Sequence, residues 1–92
     1  MITETIADDK VAEIVDKVLR EELSEFGFQR AEITAAWDRD GQEYLSIRSY
    51  LDPKRPLDPR RSSLARSKLR YALLGAGEDR FPSVVQIFPD VP

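Results

Sequence analysis

Residues 31–51 read AEITAAWDRDGQEYLSIRSYL, and this stretch decides the fold. Apolar and polar residues alternate before and after Asp40-Gly41, which is typical of two strands that each bury one face. Glycine accepts the positive φ that tight hairpin turns require, so the sequence predicts an antiparallel hairpin of 31–37 and 43–51. The predicted core-facing side chains are Ile33, Ala35, Trp37, Leu45, Ile47 and Leu51. The opposite face is predicted to carry Thr34, Ala36, Tyr44, Ser46, Arg48 and Tyr50.

An amphipathic helix is predicted on each side of the hairpin, because apolar residues recur at spacings of three and four. The first helix covers about 6–26, and Gly27 is its predicted left-handed stop. Its apolar face is Val11, Ile14, Val15, Val18, Leu19, Leu23 and Phe26. The second covers 59–75, with Asp58 as its cap and Pro59 at its first position. Its apolar stripe is Leu64, Ala65, Leu69, Ala72, Leu73 and Ala76. A β-branched run at 83–88, between two prolines, predicts a third strand.

These elements follow the order α-β-β-α-β, which predicts a two-layer α+β domain over residues 1–92. A strand, a helix and a strand in succession favour a right-handed crossover with the two strands parallel. The sheet would have three strands, an antiparallel hairpin plus a third strand, with both helices on one face. The element order is similar to that of type II KH domains. The Gly-x-x-Gly loop that clamps nucleic acid in that family is missing from this sequence.

The composition excludes several kinds of chemistry. The chain contains no cysteine and no histidine, so disulfides, thiolates and imidazole bases are ruled out. The paired carboxylates, Glu78-Asp79 among them, have no visible cluster of partners that would raise a pKa. Asp38-Arg-Asp40-Gly41 is similar to the start of a calcium loop but lacks the later glutamate, which favours a turn. We therefore expect a non-enzymatic protein with no cofactor and no metal.

The sequence also bears on location. No apolar run approaches the ~20 residues that a bilayer crossing needs. The acidic start, MITETIADDK, lacks the basic and apolar regions of a signal peptide. We expect a cytoplasmic protein with no membrane partner.

The charge is unevenly distributed along the chain. Residues 1–43 hold 12 acids and 5 bases, whereas residues 44–70 hold 8 bases and 2 acids. One hypothesis is phosphate contact by this basic segment, through Lys54, Arg55, Arg60, Arg61, Arg66 and Arg70. The other is that these bases pair with the acidic first helix or remain solvated, as charge runs usually do. A net charge of −3 makes tight nucleic-acid binding less expected.

A Leu-Asp-Pro sequence followed by two bases occurs twice within 51–61. Pro53 has no N–H for a sheet ladder, so the first copy is expected to end the hairpin. Asp58 caps the second helix, and its replacement by alanine should cost about 1 kcal/mol. Asp52 has no helix to cap, so we expect its replacement to cost much less.

The outer sheet face is the candidate functional surface. Its predicted contact residues are Tyr44, Arg48, Tyr50 and Phe88. Phe88 is placed there, together with Val84 and Gln86, on the assumption that Val85 and Ile87 point inward. A face this apolar commonly marks a protein contact, and Tyr and Arg are enriched at interface hot spots. Stacking of RNA bases on the tyrosines, or simple cross-strand pairing, would also explain them.

We therefore expect a small interaction domain that acts through this face, by homodimerisation or by docking on a larger protein. The alternative is an RNA- or ribosome-associated module that uses the basic residues 54–70.

Overall fold

The computed structural model describes residues 8–55 and 58–88. Along the chain these form α1 (Asp8–Leu23), a short 3₁₀ helix (Ser24–Phe26), β1 (Phe28–Trp37), β2 (Glu43–Leu51), α2 (Pro59–Gly75) and β3 (Phe81–Ile87). The predicted α+β class and element order are confirmed. The first helix is shorter than the predicted 6–26, because its last turn tightens into the 3₁₀ helix; residues 6 and 7 lie outside the described ranges.

The three strands form one mixed sheet in the order β1-β2-β3. β1 and β2 are antiparallel, with Ile33 opposite Ile47, and β2 and β3 are parallel, with Ile47 opposite Val84. This is the predicted hairpin plus a parallel third strand. β2 is therefore the central strand, and β1 and β3 are the two edge strands of the sheet.

Both helices pack on one face of this sheet, as predicted. The buried residues of each helix recur at spacings of three or four, since 3.6 residues per turn bring such positions onto one side. The core consists of Val11, Val15, Leu19, Leu23, Phe28, Leu45, Ile47, Leu51, Ala65, Leu69 and Leu73. Leu64 and Ala76 were predicted in the stripe of α2, but both are exposed.

The face assignment predicted for the third strand is wrong. Val84 packs against the core, and the side-chain amide of Gln86 donates to the Ser62 hydroxyl of α2 at 2.7 Å, so both lie on the helix side. Val85 points outward and is 52% exposed. The strand also begins earlier than predicted and ends before Phe88, which is not part of the paired sheet.

Trp37 was also predicted to face the core, but it is 62% exposed. It lies at the end of β1, opposite Glu43, where the strand runs past the helix layer. The alternation that identified its side of the sheet does not show how far the helices extend along it.

The turns and caps follow the predicted chemistry. Gly27 and Gly41 have φ of 78° and 79°, the left-handed region that glycine enters at least cost. The Asp58 carboxylate accepts a hydrogen bond from the Arg60 backbone N–H at 2.9 Å, and Pro59 occupies the first position of α2. Within the described ranges, neither helix is long and apolar enough to cross a membrane.

Candidate functional site

The outer sheet face lies opposite the helices, and the register of the strands identifies its members. They are Arg30, Glu32, Thr34 and Ala36 on β1, Tyr44, Ser46, Arg48 and Tyr50 on β2, and Phe81, Ser83, Val85 and Ile87 on β3. Three of the four predicted contact residues, Tyr44, Arg48 and Tyr50, are on this face. Phe88 is not among them, because it follows the last paired residue.

The β3 side of the outer face is apolar. Phe81 is 56% exposed and lies opposite Tyr44 in the register, and Val85 lies opposite Arg48. Ile87, half-buried, lies opposite Tyr50. Phe81, Val85 and Ile87 form the apolar patch of this face, which Ser83 interrupts between Phe81 and Val85.

The β1 side of the same face is polar and internally bonded. The Tyr50 hydroxyl donates to the Glu32 carboxylate, and Arg30 Nη1 lies 3.2 Å from Glu32 Oε1. The Arg30 guanidinium stacks 4.0 Å above the centre of the Tyr50 ring. The hydrogen bond from Tyr50, and secondly that from Arg30, hold the pKa of the Glu32 carboxyl below its usual range. Tyr50 is thus oriented by its neighbours on β1.

Part of the basic segment pairs with acidic residues at the end of the first helix. Arg61 Nη2 lies 3.2 Å from a carboxylate oxygen of Glu25, and Lys68 Nζ lies 3.2 Å from one of Glu22. Arg55 Nη1 donates to the Glu25 backbone carbonyl at 3.3 Å. These contacts agree with the hypothesis of internal pairing.

Two further arginines of α2, Arg66 and Arg70, face β3. Arg66 Nη2 donates to the Gln86 side-chain oxygen at 3.0 Å, and the Arg70 guanidinium lies 4.7 Å from the centre of the Phe81 ring. Of the predicted phosphate-binding residues, Lys54 and Arg60 remain exposed in the loop and at the helix start. The structure therefore divides the predicted set between two sides of α2 and does not bring it together.

A buried charge cluster was missed by the sequence analysis. Arg80 donates to both carboxylate oxygens of Glu78, from Nε at 2.9 Å and from Nη2 at 2.8 Å, and from Nη1 to Glu43 at 2.9 Å. The side chains of Arg80 and Glu78 are 6% and 0% exposed. The sequence pattern around Glu78-Asp79 did not indicate these partners.

The Arg80 cluster has a structural role. Hydrogen bonds to Glu78, and then to Glu43, raise the pKa of the guanidinium further above its ordinary range, so it stays charged. The cluster fastens the loop before β3 to the first residue of β2. A sequence signal was present, since Glu78 and Arg80 stand two residues apart between a helix and a strand.

Metal binding has no support in the described part of the chain, where no three His, Cys, Asp or Glu side chains are grouped to hold an ion. Asp38, which was assigned to turn chemistry, accepts hydrogen bonds from the backbone N–H groups of Asp40 and Gln42, both at 2.9 Å.

Comparison with known proteins gives no match: the chain fits none of the protein-family models against which it was compared, and none of the curated proteins.

Proposed function

We propose that the protein is a non-enzymatic interaction domain that binds another protein through its outer sheet face. The observation that carries the proposal is the contrast between the two sides of the sheet. One side is covered by two helices, whereas the other presents Phe81 and Val85 at more than half exposure. A complex is stabilised when a partner removes such exposed apolar side chains from water.

The composition of the face supports a protein partner. Aromatic residues and arginine are enriched in the centres of protein interfaces, and this face offers Tyr44 opposite Phe81 and Arg48 opposite Val85. Tyr50 is hydrogen-bonded to Glu32, so we assign it to the polar rim of the contact rather than to its centre. Phe88 drops out of the proposed interface because it lies outside the paired sheet.

The partner is a second copy of the chain or a larger protein, and one variant tests both. Val85→Glu places a charge at the middle of the apolar patch, while the neighbouring Arg48 offers the new carboxylate a cross-strand partner that preserves the fold. If the face forms a homodimer, sedimentation equilibrium should show the wild type as a dimer and Val85→Glu as a monomer.

The matched control is Tyr71→Glu, which adds the same charge at a 73% exposed aromatic residue of α2. This variant should behave as the wild type. A wild type that remains monomeric at high concentration would remove the homodimer version. Binding to a larger protein would then be tested by affinity purification from the native cell. A partner retained equally by wild type and Val85→Glu would contradict the proposed face.

An RNA- or ribosome-associated role remains the alternative proposal. Its support is the excess of bases in residues 44–70. The geometry favours it less than the protein contact, because Arg61 and Lys68 pair with acidic residues on one side of α2 while Arg66 and Arg70 face the other. Binding of an RNA pool that weakens with salt, and less steeply in an Arg60→Ala, Arg61→Ala variant, would support it.

The proposal also places the association in the cytoplasm. Fractionation of the native cell with an antibody against the protein would check this, and recovery in another fraction would contradict it.

A further inference from the structure

The free edge of β3 differs from the free edge of β1. β3 pairs with β2 on one side, and no described strand pairs with its other side. Its residues, FPSVVQI, include no charge, whereas β1 carries Arg30 and Glu32. Natural proteins protect exposed edges with charges, because unpaired backbone N–H and C=O groups are a template for another strand. The β3 edge has no such protection beyond Pro82 near its start.

A groove of about 430 Å³ runs beside this strand. Helix α2 forms one wall and β3 the other, and the lining residues are Arg66, Ser67, Arg70, Phe81, Pro82, Ser83 and Val84. The groove is positively charged, since Arg66 and Arg70 are its only ionisable lining residues. A groove between a helix and a sheet edge is the setting in which extended peptides add a strand to a sheet.

The two arginines are held in place before any ligand arrives. The Gln86 side chain donates to the Ser62 hydroxyl at 2.7 Å and accepts from Arg66 at 3.0 Å, so it fixes one guanidinium. The Arg70 guanidinium is stacked on the Phe81 ring, which leaves its N–H edges available. Ordered donors lose less conformational entropy on binding than free surface side chains do.

We propose that the β3 edge binds an extended segment of a partner protein whose side chains carry carboxylates. The segment lies in the groove and extends the sheet as a fourth strand through backbone hydrogen bonds to β3. Its acidic side chains accept hydrogen bonds from Arg66 and Arg70. This site shares Phe81 and Ser83 with the outer face, but it uses the backbone edge of β3 and the two arginines, so it does not depend on the proposed contact there.

Charge complementarity favours this occupant over two others. A second copy that paired β3 with β3 would bring a second Arg66 and Arg70 to the same edge, and β3 has no acidic residue to offset them. A nucleic acid would require a broad basic surface, but Arg61 and Lys68 of α2 pair with acidic residues on the far side of the helix. A short extended acidic segment requires no basic surface beyond the groove itself.

The test is a selection of random eight-residue peptides, displayed on phage, against the wild-type protein. We expect enriched sequences with Asp or Glu at alternate positions, because alternate side chains of a strand face the same way. The Kd of a synthetic enriched peptide is then measured by fluorescence anisotropy. With Arg66→Glu and Arg70→Glu combined, binding should weaken by about tenfold or more.

The matched control reverses two exposed charges outside the groove, Lys54→Glu and Arg60→Glu, and should leave Kd within about twofold. A peptide methylated at alternate backbone nitrogens keeps its carboxylates but lacks strand donors, and it should fail to bind. If circular dichroism shows that the charge-reversed variant is unfolded, Arg66→Gln with Arg70→Gln replaces it.

Several results would overturn the proposal. These are no enrichment, enrichment of peptides without acidic residues, equal binding by the groove and control variants, and NMR amide shift changes on adding the peptide that fall on β1 rather than on β3. Recovery of peptides similar to residues 81–87 would assign the edge to a second copy. Poly(U) RNA that binds the wild type and not the Arg66, Arg70 variant, while no peptide binds, would assign the groove to RNA.

Discussion

The two ends of the central strand β2 are fastened to distant parts of the chain by different means. At its start, Glu43 is bound by Arg80 from the loop before β3 at 2.9 Å. At its other end, the backbone N–H of Asp52 donates to the carbonyl of Gly27, before β1, at 3.0 Å. The first junction depends on buried charge, and the second depends on a backbone approach that leaves no room for a side chain.

The difference shows where single changes should do most harm. Removing one member of a buried ion pair leaves the other charge buried without its counter-ion. At the second junction the polar groups are partly exposed, and the constraint is space: a Cβ at Gly27 would lie 2.4 Å from the Cβ of Asp52. A substitution at the first junction therefore acts through electrostatics, because the charges are buried. A substitution at the second acts through steric overlap, because the two backbones approach closely.

The largest effect is expected at the first junction. Arg80→Met removes the cation that is bound to fully buried Glu78, and it should lower the free energy of unfolding by about 3–5 kcal/mol. Urea denaturation followed by circular dichroism measures the change. Glu78→Gln combined with Arg80→Met removes both charges and should recover part of the loss. A double variant as unstable as Arg80→Met would show that the loss comes from packing rather than from the lost counter-ion of Glu78.

A smaller but still large effect is expected at the second junction. Gly27→Ala should cost about 3 kcal/mol, since alanine must adopt a left-handed φ and also overlaps with Asp52. Gly41→Ala is the matched control: its φ is nearly the same, but nothing lies within 4 Å of the added Cβ. The control should cost about 1 kcal/mol in the same urea assay. Equal losses would show that the φ angle, and not the close approach, makes Gly27 necessary.

The two junctions also show what the sequence could predict. Gly27 and Gly41 were identified from local chemistry, because a residue that ends a helix or closes a hairpin is specified by its own neighbours. The cap of α2 by Asp58 was found in the same way. The Arg80 cluster was missed because Glu43, its third member, is 37 residues away in sequence. Only the fold brings it near.

The outer face was predicted in part for a similar reason. β1 and β2 alternate clearly, so Tyr44, Arg48 and Tyr50 were placed correctly. In β3 both alternating sets contain a valine, Val84 in one and Val85 in the other, so the period of two did not choose between them. The choice depends on the pairing with β2 and on the bond from Gln86 to Ser62. The outward-facing side chains of β3 could therefore not be assigned from the sequence alone.

A comparison of two aspartates sharpens the picture of the second junction. Asp52 accepts from the Lys54 N–H at 2.9 Å, as Asp58 accepts from the Arg60 N–H at 2.9 Å. The structure thus shows that Asp52 caps a turn, which the sequence analysis did not anticipate. We expect Asp52→Ala and Asp58→Ala each to lower the free energy of unfolding by about 1 kcal/mol. If Asp52→Ala leaves the free energy of unfolding nearly unchanged, the sequence-based expectation that Asp52 matters much less than Asp58 would hold.

The smallest effect is expected at Glu32, an exposed carboxylate that belongs to neither junction. The hydrogen bond from Tyr50, and then that from Arg30, lower the pKa of Glu32 in the folded protein. Because the folded pKa lies below the unfolded one, the stabilisation is present above the unfolded pKa of about 4.3 and is lost as the pH falls through the folded value. Glu32→Gln removes this dependence.

Urea unfolding of the wild type and of Glu32→Gln should therefore differ more at about pH 6 than at about pH 3, with the wild type the more stable at the higher pH. The matched control is Glu13→Gln, an exposed carboxylate of α1 that lies 3.9 Å from Lys10, at the limit of an ion pair. A gap between wild type and Glu32→Gln that stays constant over this range would mean that the Tyr50 hydroxyl binds glutamine as well as carboxylate. The polar side of the outer face would then depend on the geometry of this hydrogen bond rather than on the charge of Glu32, just as the second junction depends on geometry rather than on charge.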